Sequence, residues 1–300
     1  MIYRQIFSLK QYIKSNKLAY FILYPLIYFR GLPQRYKNNK FNKLYNSIFD
    51  MVIEGSLVVN LSDFRGSFEI DYRSAILKMI LKDKNYEKEN VRIIEKYINP
   101  SKDAIDVGAN VGLFTILLSK LVSQDNKVLA IEPSPLAIRY LNNNLKRNNV
   151  RNSVIIFEGV STNIMGDYKL NVIPGMEEYS SLNDIVHPDI KGKCYSQIDV
   201  KGETIDNLVK IHNLNPGFIK VDTEGAEYLV LCGALKTISR YKPVIIAEVQ
   251  DRLSSHFGWN SIDVFNLLMD NKYTIVNLSN PDLPVNMPFN GDILAIPHAL

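Results

Sequence analysis

The chain has 300 residues, 46% of them hydrophobic, and a formal net charge of +4, enough apolar material for one large domain or two small ones. Two cysteines far apart, Cys194 and Cys232, and four histidines without ligand spacing exclude a disulfide framework and a His/Cys metal centre. That pattern places the protein in a reducing, cytoplasmic compartment.

Residues 1–50 form a basic, aromatic-rich extension, and residues 51–300 the folded domain. The extension holds nine Lys or Arg against Asp50 alone, a balance of +8 that leaves −4 for the rest. Its apolar run LAYFILYPLIYF is broken by Pro25 and falls well short of the roughly 20 residues that span a bilayer. The next residues, RGLPQR, offer no small-residue cleavage site, so a secretory leader is not expected. Two readings stay open. The segment lies on anionic lipid at the cytoplasmic membrane face as a peripheral contact, or it packs on the domain or on a second subunit of a homo-oligomer.

The chain then predicts a hairpin over 56–61 and 66–71, turning around Asp63 and Gly66. Helices follow over 73–82 and 86–98, the second ending before Pro100. Next comes alternation: strand 104–107, helix 112–122, strand 127–132, helix 136–148 and strand 153–158. The Asn-rich, basic run 142–149 reads as a solvated helix end. A less regular insert, 159–203, carries the strand-like YKLNVI and the polar run EEYSSLND. Helix 204–211, strand 217–222, helix 226–238, strand 244–249, helix 261–270 and strands 273–278 and 291–296 complete the pattern. Cys232 shares helical spacing with Leu229 and Leu235, which reads as core packing. Short apolar strands alternating with helices predict an α/β fold, a mostly parallel seven-stranded sheet covered on both faces.

The most informative stretch is AIDVGANVGLFTILLSKLV, residues 104–122. An apolar strand ends in Asp106, the chain turns through Gly108 and Gly112, and a helix begins. A second strand ends at Glu132, followed by Pro133, twenty-four residues beyond Gly108. This order builds a nucleotide-type cofactor pocket at the C-terminal tips of two parallel strands. A dinucleotide fingerprint registered on Gly108 needs glycines at 110 and 113, where Asn110 and Leu113 stand instead. Asp106 puts a negative charge where a pyrophosphate would lie and suits a cationic ligand. S-adenosyl-L-methionine, with an ammonium, a sulfonium and no phosphate, meets that demand, and Glu132 is placed to accept its ribose hydroxyls.

The fourth core strand ends in KVDTEGAE, bringing Lys220, Asp222, Glu224 and Glu227 to the crevice where strand order reverses. Alternation puts Lys220 and Asp222 on one face. Asp222 is the first candidate for the base or for orienting an acceptor hydroxyl, Glu224 the second. Lys220 is either catalytic or a buried counter-charge to the acids. Glu224 and Glu227 also fit the first turn of the next helix, where carboxylates complement its dipole. Glu248, at the end of VIIAEV, is placed to bind a second hydroxyl. Ser180 and Ser181 of SSLND are candidates for lining an acceptor site. The carboxylates have no decisive metal spacing, so no metal is assigned.

The stretches YEKENVRIIEKYINPSKDAIDVGANVGLFTILLSKLV, KVLAIEPSPLAIRYLNNNLKRNNV, KGETIDNLV, GFIKVDTEGAEYLVLCGAL and KPVIIAEV resemble the FkbM family of class I S-adenosylmethionine-dependent methyltransferases. The resemblance covers about residues 86–250. It implies a Rossmann-like sheet with an antiparallel last strand and methylation of oxygen on a sugar, glycan, glycolipid or other polyol. A nucleic-acid substrate is not expected, because the core is acidic and lacks interleaved aromatic and basic residues. Two other readings compete: a nicotinamide-dependent oxidoreductase, disfavoured by Asn110 and Leu113, and a non-catalytic scaffold of the same fold that docks at a membrane.

Overall fold

A computed structural model describes residues 55–83, 86–183, 195–281, 285 and 287–298. The expectations for residues 1–50, and those touching Cys194 and Asp184, lie outside the described residues. No described helix is long and apolar enough to cross a membrane.

Strands β1 (Ser56–Leu61) and β2 (Gly66–Asp71) pair antiparallel as the predicted hairpin. Helices α1 (Ala75–Asp83) and α2 (Lys88–Tyr97) follow. The central sheet collects β3 (Asp103–Val107), β4 (Val128–Glu132), β5 (Val154–Glu158), β9 (Pro216–Val221), β10 (Val244–Gln250), β11 (Tyr273–Asn277) and β12 (Asn290–Pro297). Their order is β11-β12-β10-β9-β3-β4-β5. All neighbours from β10 to β5 run parallel, and β12 is antiparallel to both β10 and β11. This is the seven-stranded, mostly parallel Rossmann-like sheet with its reversed last strand. The order reverses between β3 and β9, so their tips open a crevice.

Every residue of β3 and β4 is buried, as strands covered on both faces must be. One face carries α3 (Leu113–Leu121), α4 (Pro135–Arg147), the hairpin, α1 and α2, packed around Phe64, Phe68, Leu117 and Leu141. Phe64 stands edge-on to Phe68 at 6.2 Å and to Phe114 at 5.1 Å between centroids. The other face carries α5 (Ile205–Ile211), α6 (Glu227–Cys232), α7 (Leu235–Tyr241) and α9 (Ser261–Asp270), with the short α8 (Asp251–Ser254) following β10.

Four local expectations need correction. The Asn-rich end of α4 is solvated only in part: Asn143, Lys146, Arg147 and Asn149 are exposed, but two of its asparagines are engaged. Asn144 is fully buried and exchanges hydrogen bonds with the Glu69 backbone (2.6 and 3.0 Å), and Asn148 does the same with Ser67 (3.0 and 2.7 Å). Side-chain amides carry a donor and an acceptor, so they substitute for a neighbouring strand along the hairpin edge. The helix expected over 226–238 breaks in two at Gly233, where a Cβ would stand 2.2 Å from the Thr162 carbonyl oxygen. Leu235 is consequently 40% exposed and Cys232 half-buried, so that trio is not core; Val230 and Leu231 are. The insert is more regular than its sequence suggests: β6 (Val160–Ser161), β7 (Gly166–Val172) and β8 (Ser196–Glu203) form a second sheet in the order β6-β8-β7.

Candidate functional site

The β3–α3 connection explains its own residues. Gly108 holds φ 80°, and a Cβ there would lie 1.8 Å from the Asp222 carbonyl oxygen. Only glycine lets the tips of β3 and β9 approach so closely. Asn110 also adopts a left-handed conformation, φ 47°, and its backbone N–H donates to Glu132 Oε2 at 2.7 Å. Glu132 Oε1 accepts from the Ser134 N–H at 2.9 Å. Each oxygen keeps a further lone pair for a ligand hydroxyl. Ser134 caps α4, with Pro135 in its first turn, so the chain just after Glu132 is fixed. Burial pushes the Glu132 carboxyl up to about 7, opposed by those two backbone N–H groups.

Above these tips lies a cavity of about 410 Å³. Gly108, Asn110, Glu132 and Pro133 line one part of it, and Lys220, Asp222, Glu224 and Glu248 another. The Lys220 ammonium lies 2.8 Å from Asp222 Oδ2 and 4.4 Å over the Phe114 ring. Burial alone would favour its neutral form, yet Asp222, Glu87 and Asp106 hold it protonated. Asp222 is half-buried; burial alone would raise its carboxyl, but Lys220 lowers it below the ordinary range. Glu248 meets Asp222, accepts a hydrogen bond from Gln250, and is pushed up to about 10, first by burial and then by Asp222 and Glu224. Glu224 sits at φ 52° and makes no hydrogen bond among the described residues; burial raises it well above the usual carboxyl range. Asp222, Glu224 and Glu248 each bring one oxygen within 4.8 Å of the others, closer than their sequence spacing suggests.

Four proposed site residues are placed elsewhere. Asp106 does not line the cavity; it is 1% exposed and accepts from Thr115 Oγ1 at 2.5 Å. It pairs in register with Lys220 across β3 and β9, so its charge is met beneath the cavity floor instead of facing a ligand. Gly112 opens α3 at φ 89°, where a Cβ would strike Leu141. Glu227 is buried and accepts from Thr223 N, Thr223 Oγ1 and Gly225 N at 2.9, 3.0 and 3.1 Å, holding the β9–α6 turn. Ser181 bridges to Asn171 through its backbone and caps Asn183. Pro133 lines the wall without a polar role. Ser180, by contrast, lines the cavity with an unpartnered hydroxyl.

Several lining residues escaped sequence reasoning. Glu177 and Glu178 stood in view in the polar run, but only the fold shows their task. Glu177 accepts from Ser134 Oγ and the Gly175 N–H, while Glu178 accepts from the Ala75 N–H and from Ser74 Oγ at 3.3 Å. They latch the insert to α4 and α1 and so roof the cavity. Tyr86 and Glu87, just before α2, form another wall. Ser161 is 3% exposed, lines the cavity and has a hydroxyl without a partner.

These walls fit the methyl donor. Glu132 suits its ribose, and Ile131, Val160 and Leu170 with the orphan Ser161 hydroxyl make an apolar bay with one hydrogen-bonding group, suited to an adenine. The glycine at 108 leaves the backbone bare beside both.

The family model described as "Methyltransferase FkbM domain" matches residues 106–275. The methyltransferase sdnD of Sordaria araneosa is 30% identical over 122 residues, 40% of this chain and 43% of that protein. A ribosomal protein L11 methyltransferase of Chloroflexus aurantiacus is 30% identical over 69 residues, 23% of this chain and 20% of its own length. The chain therefore spans less than half the length of either relative. Among solved structures, an FkbM methyltransferase from Methylobacillus flagellatus KT is 18% identical with a TM-score of 0.44, over 75% of this chain and 53% of that one. An O-methyltransferase from Bacillus cereus in complex with SAH is 15% identical with a TM-score of 0.43, over 87% and 99%.

Proposed function

Because this chain belongs to the FkbM methyltransferase family, whose methyl donor is S-adenosylmethionine, we propose that it methylates a hydroxyl oxygen of a sugar, glycan or glycolipid-type acceptor. The supporting observation is the convergence of Asp222, Glu224 and Glu248 on one wall of the cavity, with Glu132 on another. When bound, S-adenosylmethionine supplies an activated methyl group and a positive charge, and that charge favours the ionised form of a nearby carboxyl.

The protein's own part is to place a hydroxyl and receive its proton. Asp222 is a poor base, because Lys220 and Glu248 already occupy it and its carboxyl is lowered. Glu224, without a hydrogen-bond partner, is the better proton acceptor, while Asp222 and Glu248 orient hydroxyls. Positioning of this kind contributes roughly 7–11 kcal/mol in favourable cases. The cavity walls include Glu87, Glu132, Glu177, Glu178, Asp222, Glu224 and Glu248 against Lys220 as the sole cation among the described residues. Hydroxyl groups find acceptors on those carboxyls, whereas phosphate or carboxylate groups of an acceptor find few donors there, so the part that enters is an uncharged polyol. The basic segment 1–50 suits holding such an acceptor at an anionic membrane surface.

The test is labelled-methyl transfer from S-adenosylmethionine to a panel of neutral sugars, lipid-linked oligosaccharides and uronic acids, with products mapped by mass spectrometry. Label on a hydroxyl oxygen of a neutral glycan supports the proposal. Label only on nitrogen, or only on anionic acceptors, overturns it.

A further inference from the structure

We propose that Glu87 and Lys220 together grip the zwitterionic amino-acid end of the methyl donor, and that Asn90 is the positioning residue that fixes Glu87. The inference rests on the donor assignment above and concerns residues that assignment leaves without a role. Glu87, Asn90 and Asp292 all fall outside the range matched by the family model.

The order of strands sets the direction. With a ribose at Glu132 on β4, a ligand extends one way towards β5 and the other way across β3 to β9. The strand that ends at Glu132 and the insert that follows β5 contribute the apolar lining residues Ile131, Val160 and Leu170. On the β9 side stands Lys220, and Glu87 lines the same cavity. An adenine gains by lying in the first bay, whereas a group carrying both a carboxylate and an ammonium loses its hydration there without replacement. Lys220 offers that carboxylate its one cationic partner among the described lining residues. The ammonium then needs an anion near Lys220 other than Asp222, which Lys220 already holds at 2.8 Å; Glu87 lines the same cavity and is tied through Asn90 to Asp292, which faces Glu248.

Glu87 is held for this task. It occupies a left-handed backbone conformation, φ 41°, immediately before α2. The Asn90 side-chain amide, 3% exposed, donates to Glu87 Oε2 and to Asp292 Oδ2, each at 2.9 Å. One NH₂ group thus spans two carboxylates that would otherwise repel. The Asn90 oxygen has no partner, so the amide orientation is dictated by the two acids alone. Asp292 lies opposite Glu248 on β12, which ties the Glu87 wall to the far side of the sheet. A carboxylate has about four lone-pair sites, and Asn90 with the neighbouring Tyr86 hydroxyl leaves Glu87 room to accept from an ammonium.

The experiment is calorimetric titration of the full chain with S-adenosylhomocysteine and with 5′-methylthioadenosine, which keeps the nucleoside thioether and lacks the amino-acid end. For Glu87→Gln the expected result is about tenfold or greater loss for S-adenosylhomocysteine, the scale of one charge-assisted hydrogen bond, with 5′-methylthioadenosine within about twofold. Asn90→Ala should shift the same ligand in the same direction by less. A third titration, of wild type with an S-adenosylhomocysteine analogue lacking the amine, needs no variant to fold and should show a similar tenfold loss. Equal losses for both ligands in Glu87→Gln, or an amine-free analogue that binds as well as the parent, would overturn the grip. A wild-type chain that binds neither nucleoside would instead sink the donor assignment itself.

Discussion

Glu132→Gln tests the cofactor wall through its pH dependence. The wild-type carboxyl sits at about 7 in the free protein, raised from 4.5 chiefly by burial. Ribose hydroxyls donate to a carboxylate and gain little from the neutral acid. Binding therefore draws on the ionised fraction, about one-tenth at pH 6 and about nine-tenths at pH 8. Affinity for S-adenosylhomocysteine should rise about tenfold across that interval, equivalent to about 1.4 kcal/mol. Glutamine carries no titrating group, so the variant's profile should be flat there, and at pH 8 its affinity should be lower by about 1.5–3 kcal/mol for the lost charge-assisted bonds. Its amide also leaves either the Asn110 or the Ser134 N–H facing a donor, at a cost of about 1–3 kcal/mol. Relief of the buried charge at pH 8 offsets that cost, so the variant should still fold. Calorimetry at pH 6, 7 and 8 reads both effects. A wild-type affinity constant across that range, or the same slope in the variant, would refute the reasoning.

Gly108→Ala should weaken S-adenosylhomocysteine binding and lower stability by a few kcal/mol, since its Cβ would meet the Asp222 carbonyl oxygen at 1.8 Å; urea unfolding measures the loss. Glu224→Gln should lower turnover by about 10²-fold or more while leaving S-adenosylhomocysteine affinity within about twofold, and unchanged turnover would remove Glu224 as the proton acceptor. Glu178 is raised from 4.5 to about 7, so its contribution is fully present below 4.5 and is lost as pH rises through 7. Glu178→Gln should remove about 3 kcal/mol of the wild-type stability decline between pH 4.5 and 8, read by unfolding at each pH. Deleting residues 1–48 should leave S-adenosylhomocysteine affinity intact and reduce sedimentation with anionic vesicles; undiminished sedimentation would retire the membrane contact.

The fold was legible because its signals are local. Buried parallel strands read as short apolar runs, and the turn at Gly108 is written in glycines that no other residue replaces. Glu132 and Asp222 were visible as acids at strand tips. What stayed hidden depends on partners distant in sequence. Asn144 and Asn148 look like solvent-facing helix residues until the hairpin edge is placed beside them. Glu227 and Asp106 look like site residues because they neighbour the crevice in sequence, yet the turn at 223–225 and the Lys220 ammonium claim them. Glu178 caps α1 from 103 positions away, and Glu87, which lines the cavity, is held there by Asn90, which also bonds Asp292. Pattern reasoning finds where a strand ends; it does not find which of several carboxylates at that end will already be taken by backbone N–H groups.

The most direct measurement is a crystal structure of the full chain with S-adenosylhomocysteine at pH 8. The predicted result has both ribose hydroxyls within hydrogen-bond distance of Glu132 and the sulfur facing the wall formed by Asp222, Glu224 and Glu248. A ligand seated away from Glu132, or with its sulfur turned from those three carboxylates, would contradict the account.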